Sequence, residues 1–555
     1  MADTLATVIG VVGAALLHGA LWTAPLARLS TTQFGGTHGW AFDRMARMLA
    51  FEISPVAYTS DVSFPDIVYA AHIAWVPGLL AAPMSWATGP LGGLNLAVLL
   101  APALGVPMVS ALARAWTRAD PVACASAGLL VVLSPPAIGA FANGQVCKAQ
   151  LWALVALPLA TTWAARGKSG VAWAAVLAVA STFTEPTYAL LGALVSLPLG
   201  LWSAWRDRDR GALLRVLAAG LAMGAVFLGA RGYYDPPTRG LYLPAAPVPL
   251  SWFAAYVHEV ATPATLLWGR EYVTADDAAA HVDYLGGFAL VALGLASWRT
   301  RGARAVVLIL VATGITLSLG EWLVTLDGPV LVGDRLIALP ARALAALGFP
   351  FARSGQYYRA LGLAWVGVAL ACAALGRRAG PALCALILAD GLRATSGLWP
   401  VPSAPFPGLR CLTPVSRQVG EEATWTKTCG DRGGECGEIV RHERGGEWRL
   451  DLPRARRMFD VGVRGLATAI DGLPTSDPPA ADAPPRPADE LARVLAGLDH
   501  DPAMTLLQAR GVLRVVAWRD DGTEMLRDAT RALGPPSCSD GEMRTWDIPR
   551  AKSPE

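Results

Sequence analysis

Residues 93–118 read GLNLAVLLAPALGVPMVSALARAWTR, an apolar run that ends on Arg114 and Arg118 around Trp116. A helix of about 20 apolar residues crosses the hydrocarbon core of a bilayer, and short basic flanks mark its cytoplasmic end. Outward from this stretch, basic residues recur at every second gap between apolar runs: Arg166 with Lys168, then Arg206, Arg208, Arg210 and Arg215, then Arg299, Arg301 and Arg304, then Arg377 with Arg378. The intervening gaps, 139–148, around Glu185, 232–282 and 324–356, carry fewer such residues. Positive-inside reasoning puts those gaps, and everything after about residue 397, on the outside.

Composition agrees. The chain is 54% hydrophobic and 16% charged, and its mean hydropathy of +0.41 is too apolar for ordinary soluble domains. A net charge of +3, with the arginines spread over short loops, gives no argument for a nucleic-acid partner. Spans fall near 4–26, 93–113, 121–138, 149–165, 169–184, 187–205, 212–230, 283–298, 305–322, 357–376 and 380–396, about eleven in all. Met1 to Thr4 carry no basic stretch of the signal-peptide kind, so the first span reads as an uncleaved anchor. Trp22, Trp116, Trp202, Trp205, Trp298 and Trp322 end apolar runs and are expected at the headgroup layer.

The stretch 67–89, IVYAAHIAWVPGLLAAPMSWATG, is apolar enough to span but contains His72, Pro77 and Pro83. With the amino terminus inside, a single crossing here would move Arg114 and every later basic gap to the other side, so membrane-lying helices are expected across 40–89. An amino terminus on the outside is the alternative, and the flanks Asp3 and Arg28 decide little between them. AFDRMARML at 41–49 reads as amphipathic, with Met45, Met48 and Leu49 toward the bilayer and Arg44 and Arg47 away from it. The fold class expected is an all-α polytopic membrane domain over 1–396, followed by a small soluble α/β domain over 397–555. In the tail, WRLDLP at 448 and GVLRVVAW at 511 read as strands, and ADELARVLAGL at 488 and TEMLRDATRALG at 523 as amphipathic helices. LPTSDPPAADAPPRPAD at 473–489 is a surface loop.

Cys411, Cys429, Cys436 and Cys538 fall in the tail. An oxidising compartment would permit two disulfides: Cys429–Cys436 across GDRGGE, leaving Cys411 for Cys538. Zinc is the competing reading, but a paired CxxC is absent.

Ionisable groups at a membrane edge are costly and so mark candidate sites. The first loop, 30–66, contains His38, Asp43, Glu52, Asp61 and Asp66; an i+4 pair with Arg47 is the bland reading of Asp43. Glu185, in STFTEPTYALL, either caps its turn or faces a cavity. Lys148, in FANGQVCKAQ, reads first as a side chain snorkelling to the interface, and a place in the cavity is the alternative. FPFARSGQYYRAL at 349–361 sets Arg353 and Arg359 around Tyr357 and Tyr358, which suits an anionic phosphate headgroup; Arg359 as a plain interface anchor competes. The loop 233–282 offers sugar-stacking aromatics, whose bland reading is interfacial anchoring. Glu259 and Glu271 leave a divalent metal open without a ligand spacing to support it.

An uncleaved first helix, a long first loop with membrane-lying helices, FPDIVYAAHIAWVPGLLAAPMSWATGPLGGLN after it, an NGQ turn before a span ending in LPLA, and an Arg-Tyr-rich last loop together resemble the GT-C superfamily of membrane glycosyltransferases. LLQARGVLRVVAW, a helix, Gly-Pro-Pro and TWDIP are similar to the carboxy-terminal outside domain of bacterial members. The resemblance implies transfer of a sugar, with inversion, from a polyprenyl-phosphate donor to a glycan, lipid or protein acceptor at the outer face of the bacterial cytoplasmic membrane, as in cell-envelope assembly. It also implies an acidic general base in the first loop and cations that offset phosphate charge. The Asp that such chains carry soon after the first helix, often after glycine, is replaced here by Thr37 and His38 in GGTHGW. Asp43 is the nearest carboxylate downstream and His38 the other candidate base. A chain without the base would be a noncatalytic lipid-linked saccharide binding or assembly protein; transport is disfavoured by the lack of inverted halves.

Overall fold

The computed structural model describes residues 1–30, 42, 45–50, 58–59, 68–69, 74–142, 144–167, 169–206, 208–234, 261–269, 282–299, 301–325, 328–333, 335–347, 357–401, 403–405, 411–412, 424–429, 436–441, 448–451, 495, 497–518, 523–539 and 543–550. Helix dominates. In chain order the helices are α1 (Ala2–Leu17), α2 (Trp75–Thr88), α3 (Pro90–Thr117), α4 (Pro121–Val132), α5 (Pro135–Ala142), α6 (Val146–Ala149), α7 (Trp152–Arg166), α8 (Ser169–Thr184) and α9 (Pro186–Arg206). Then follow α10 (Arg210–Tyr234), α11 (Pro263–Trp268), α12 (Gly287–Arg299), α13 (Arg301–Ser318), α14 (Pro340–Ala346), α15 (Leu361–Ala374) and α16 (Gly376–Ala394), with α17 (His500–Ala509) and α18 (Thr523–Leu533) in the tail. Proline opens α3, α4 and α9, where its missing N–H costs nothing and its fixed φ suits the first turn.

Helix covers part or all of each predicted apolar span. Among the described residues, α3, α9, Arg210–Ala230 and Tyr357–Ala374 are long and apolar enough to cross a bilayer, and α4 with α5, bent by 40°, has the composition of either one broken span or a re-entrant loop. α1, α8, α12 and Ala303–Ser318 are apolar but shorter. The first span was read too long: α1 stops at Leu17 and a 3-10 turn, Gly19–Thr23, follows.

The core is built around α15, whose residues from Leu361 to Ala373 are all buried, as an apolar helix without a polar face requires. Glycine sets the helix spacing. A Cβ on Gly128 would lie 2.5 Å from the Val106 carbonyl oxygen, one on Gly192 2.8 Å from that of Leu154, and one on Gly314 2.5 Å from the Ala364 nitrogen. These small residues let α4 approach α3, α9 approach α7 and α13 approach α15 backbone to backbone.

Basic residues gather at one end of the bundle. Arg114 pairs with Asp3 at 2.6 Å, Arg166 donates to the Ala115 carbonyl, and Arg215 donates to those of Ala164 and Ala165 at 2.9 Å each. Arg206 lies over the Trp116 ring at 5.8 Å. These carbonyls close the last turns of α3 and α7, where a cation complements the helix dipole. Asp3 beside Arg114 sets the amino terminus at this end. Leu17, at the other end of α1, accepts from Val401 N at 2.6 Å, and strand β1 (Arg28–Ser30) pairs antiparallel with β2 (Ser403–Pro405) beside it.

Local details differ from what the sequence predicts. Trp116 is buried by protein rather than exposed, and its Nε1 donates to Thr162 Oγ1 at 3.0 Å. In 67–89, α2 is one helix that reverses at Gly89 (φ 86°) and packs back on the first turns of α3, with Ser85 against Gly93. Met45 and Phe42 are fully buried and lie against Gly78 of α2, so Met45 faces protein rather than lipid. Leu49 is exposed. Between 322 and 338, where only a loop was read, two short hairpins form, Val324–Thr325 with Gly328–Pro329 and Leu331–Val332 with Arg335–Leu336.

In the tail, β3 (Trp448–Asp451), β4 (Val512–Trp518), β5 (Cys538–Ser539) and β6 (Met543–Asp547) form a sheet of order β3-β4-β6-β5, with β3 parallel to β4 and the other pairs antiparallel. Apolar residues of α17, α18, β4 and β6 share one core, among them Leu507, Val515, Ala532 and Trp546. The sequence reading missed α17; most of its neighbour at 488–498 lies outside the described residues. A disulfide joins Cys411 to Cys538. Cys429 and Cys436 are direct partners in an antiparallel strand pair, and their side chains lie outside what is described.

Candidate functional site

Three turns meet at the end of the bundle away from the arginine cluster. They are α6, the single residue between α8 and α9, and the helical turn Tyr357–Ala360 that leads into α15. The residues between them are Lys148, Glu185 and Arg359. Arg359 Nη1 lies 3.0 Å from Glu185 Oε1 and donates to Thr187 Oγ1 at 2.9 Å. Glu185 Oε1 also accepts from Thr187 N at 3.2 Å. The carboxylate therefore satisfies a donor at the start of α9, as the capping reading expects, while it neutralises a guanidinium from the turn before α15.

Lys148 donates to Tyr358 OH at 3.2 Å, and its own carbonyl accepts from Tyr188 OH at 2.9 Å. At 8% exposure it does not snorkel. The short α6 turns its chain inward, and the tyrosine hydroxyl replaces part of the lost hydration. Glu185 and Arg359 are as deeply set, with side chains 7% and 9% exposed. Burial alone would raise the Glu185 carboxyl, but Arg359, then Lys148, then the Thr187 hydrogen bonds outweigh it and hold the group below its ordinary value. Among the described residues, Arg359 contacts this carboxylate and Lys148 acts on it electrostatically, so two cations and one carboxylate gather where water is scarce.

Donor capacity remains. Among the described residues, Arg359 Nε is buried without a hydrogen-bond partner, as are Gln145 Oε1 and Gln150 Nε2 on either side of α6 and Ser181 Oγ and Thr184 Oγ1 in the last turn of α8. Buried polar atoms are normally satisfied, and several orphans around one charged cluster suit a polar ligand.

Tyr357 turns away from this cluster. Its hydroxyl donates to Glu321 Oε1 at 2.7 Å, and Arg342 holds Glu321 Oε2 at 2.8 Å while lying 5.2 Å over the Trp322 ring. A second buried polar group lies on α11, where Thr262 and Thr265 form a capping box and Thr265 Oγ1 donates to Asp283. Tyr284 OH donates to Asp390 Oδ2 at 2.6 Å. Sequence reasoning passed over Glu321, Tyr188, Asp283 and Asp390; the carboxylates at the edges of apolar runs were the signal available for three of them.

Asp43, His38, Glu52, Asp61 and Arg353 lie outside the described residues. Among the described residues, no three His, Cys, Asp or Glu side chains converge as metal ligands.

No protein-family model and no curated protein matches the sequence. Solved structures do. The arabinofuranosyltransferase AftD from Mycobacteria superposes on 99% of this chain with a TM-score of 0.53 and 14% identity; the chain spans 40% of that protein's length. The Archaeoglobus fulgidus oligosaccharyltransferase in its apo form matches 96% of this chain and 71% of its own, at 11% identity and a TM-score of 0.43. The same organism's oligosaccharyltransferase AglB, solved in complex with an inhibitory peptide and a dolichol-phosphate, gives 10% identity and a TM-score of 0.43 over the same shares of the two chains. The chain shares its fold with AftD, a GT-C superfamily membrane glycosyltransferase, and the resemblance seen in the sequence holds at the level of fold.

Proposed function

We propose that this chain is a membrane glycosyltransferase that moves a sugar from a polyprenyl-phosphate donor to an acceptor hydroxyl or amide at the extracytoplasmic face of a bacterial cytoplasmic membrane. The observation that carries the reading is the buried cluster of Lys148, Glu185 and Arg359, which brings two cations and one carboxylate together and, among the described residues, leaves Arg359 Nε without a hydrogen-bond partner. In such a transfer the acceptor heteroatom bonds to the anomeric carbon, the bond from that carbon to the phosphate oxygen breaks, and polyprenyl phosphate leaves with an added negative charge. Cations held in a dry site stabilise that charge without reorganising. Lys148 and Arg359 are assigned this role, with Arg353 joining them from the same loop. Asp43 takes the acceptor's proton as general base, and His38 is the alternative.

The orientation proposed has the amino terminus and the arginine-rich end in the cytoplasm, about eleven crossings, and the domain from 397 onward outside. The pairing of Asp3 with Arg114 supports it, as does the meeting of three turns from gaps read as outside. A noncatalytic lipid-linked saccharide binding protein is the second reading, favoured by Thr37 and His38 standing where an acidic residue is implied.

The test is incorporation of radiolabelled sugar from polyprenyl-phosphate donors into membrane products by wild type, Asp43→Asn and His38→Ala. Loss with Asp43→Asn alone supports transfer with that base, and loss with His38→Ala alone moves the base upstream. Donor binding without transfer by wild type across a panel of donors would select the second reading.

A further inference from the structure

A groove of about 650 Å³ opens at the arginine-rich end, between α3, α7 and α8. Its floor includes Met108, Ala111 and Leu159, and Trp163, Arg166 and Trp173 line it toward the α7–α8 turn. Small residues create it. A Cβ on Gly170 would overlap the Ala164 backbone nitrogen at 2.0 Å, so α8 closes on the last turn of α7, while Ala111 leaves the facing surface of α3 shallow. Trp163 and Trp173 meet edge to face at 6.3 Å.

We infer that this groove binds an anionic glycerophospholipid of the cytoplasmic leaflet, its acyl chain on the floor and its phosphate at Arg166. Three observations carry the assignment. Trp173, Val176 and Val179 on α8 are 48%, 54% and 45% exposed, so the groove adjoins an apolar surface of the kind acyl chains cover. Paired tryptophans are at home at the headgroup layer. Arg166 belongs to the same end as Arg114, Arg206 and Arg215, and basic pockets between helices at a cytoplasmic face select anionic headgroups. The site lies at the opposite end of the bundle from Lys148 and Arg359. The inference rests on the proposed orientation and is independent of sugar transfer.

The test is native mass spectrometry of the full chain released from nanodiscs that contain equal phosphatidylglycerol and phosphatidylcholine. Wild type is expected to retain one phosphatidylglycerol in preference to phosphatidylcholine by about fivefold, the ratio one arginine near a membrane surface supplies. Arg166→Gln should bring that ratio close to one, and Ala111→Phe, which fills the floor, should reduce retention of both lipids. Equal retention of the two lipids by wild type would overturn the inference, as would a preference unchanged in both variants. Displacement of the phosphatidylglycerol by added polyprenyl phosphate, with the latter retained, would assign the groove to the donor lipid and also overturn it. If Arg166→Gln does not fold, the wild-type ratio and Ala111→Phe still decide.

Discussion

A single guanidinium nitrogen, Arg359 Nη1, contacts Glu185 Oε1 at 3.0 Å and Thr187 Oγ1 at 2.9 Å, which fastens the turn before α15 to the start of α9. Both charged side chains are nearly out of reach of solvent, so removal of one strands the other. Glu185→Gln is expected to destabilise by about 3–5 kcal/mol. Glu185→Gln with Arg359→Met should recover most of the loss, because an apolar replacement leaves no buried charge. Thermal unfolding in detergent checks both; a single variant as stable as wild type would mean that the pair holds nothing together.

Lys148 contributes the second cation of the cluster. If the cluster receives the donor phosphate, Lys148→Gln removes a charge-assisted hydrogen bond of about 1.5–3 kcal/mol. The donor KM should then rise by about ten- to a hundredfold. Steady-state kinetics at saturating acceptor give the readout, and an unchanged KM would leave Lys148 a structural role, as in its contact to Tyr358.

Glu185 also predicts an acid limb. Its carboxyl is held below the ordinary value of 4.5, so in the folded protein it stays ionised to lower pH than in the unfolded chain. The stabilisation is complete above about pH 4.5 and is lost as pH falls through the depressed folded value. Unfolding temperatures followed from pH 7 to pH 3 should decline less steeply below pH 4.5 for Glu185→Gln than for wild type. Parallel curves would mean that other carboxylates dominate the limb.

Gly128 gives a packing test. A Cβ there would meet the Val106 carbonyl at 2.5 Å and Ser110 Oγ at 2.9 Å, both within the contact of α4 with α3. Gly128→Val should destabilise by about 1–3 kcal/mol through overpacking. Gly224→Ala, with open space around it, should be neutral or mildly stabilising. Equal melting temperatures for the two variants would refute the assigned packing.

The helical segments were readable because apolar run length and basic punctuation are one-dimensional signals, as Arg114, Arg166 and Arg215 show. What those arginines do was not readable: they hold carbonyls in the last turns of neighbouring helices, a contact between segments far apart in the chain. The same limit applies to the site. Lys148, Glu185 and Arg359 could be chosen one by one as ionisable groups at span edges, but nothing in sequence spacing says that residues 148, 185 and 359 meet. Lys148 was misread because snorkelling is the default for a lysine at a helix end, and Tyr358, which draws it inward, lies 210 positions away. Tyr357 and Tyr358 are neighbours in sequence yet serve different carboxylate and ammonium partners, since successive residues on a helical turn face different directions.

The Cys411–Cys538 disulfide ties together positions 127 residues apart and supplies a test of orientation that needs no substrate. Closing a loop of that length removes about 4–5 kcal/mol of unfolded-state entropy in the chain model, so Cys411→Ser should leave the region around β5 and β6 more open to protease. The bond persists only in an oxidising compartment. Mass-tag alkylation of protein denatured without reductant should therefore modify the thiols of Cys124, Cys147, Cys372 and Cys384, which form no disulfide, and spare Cys411 and Cys538. Addition of reductant should expose both. Modification of Cys411 and Cys538 before reduction, in protein taken directly from cells, would place the tail on the cytoplasmic side and invert the proposed orientation, since Leu17 and Val401 share one end of the bundle.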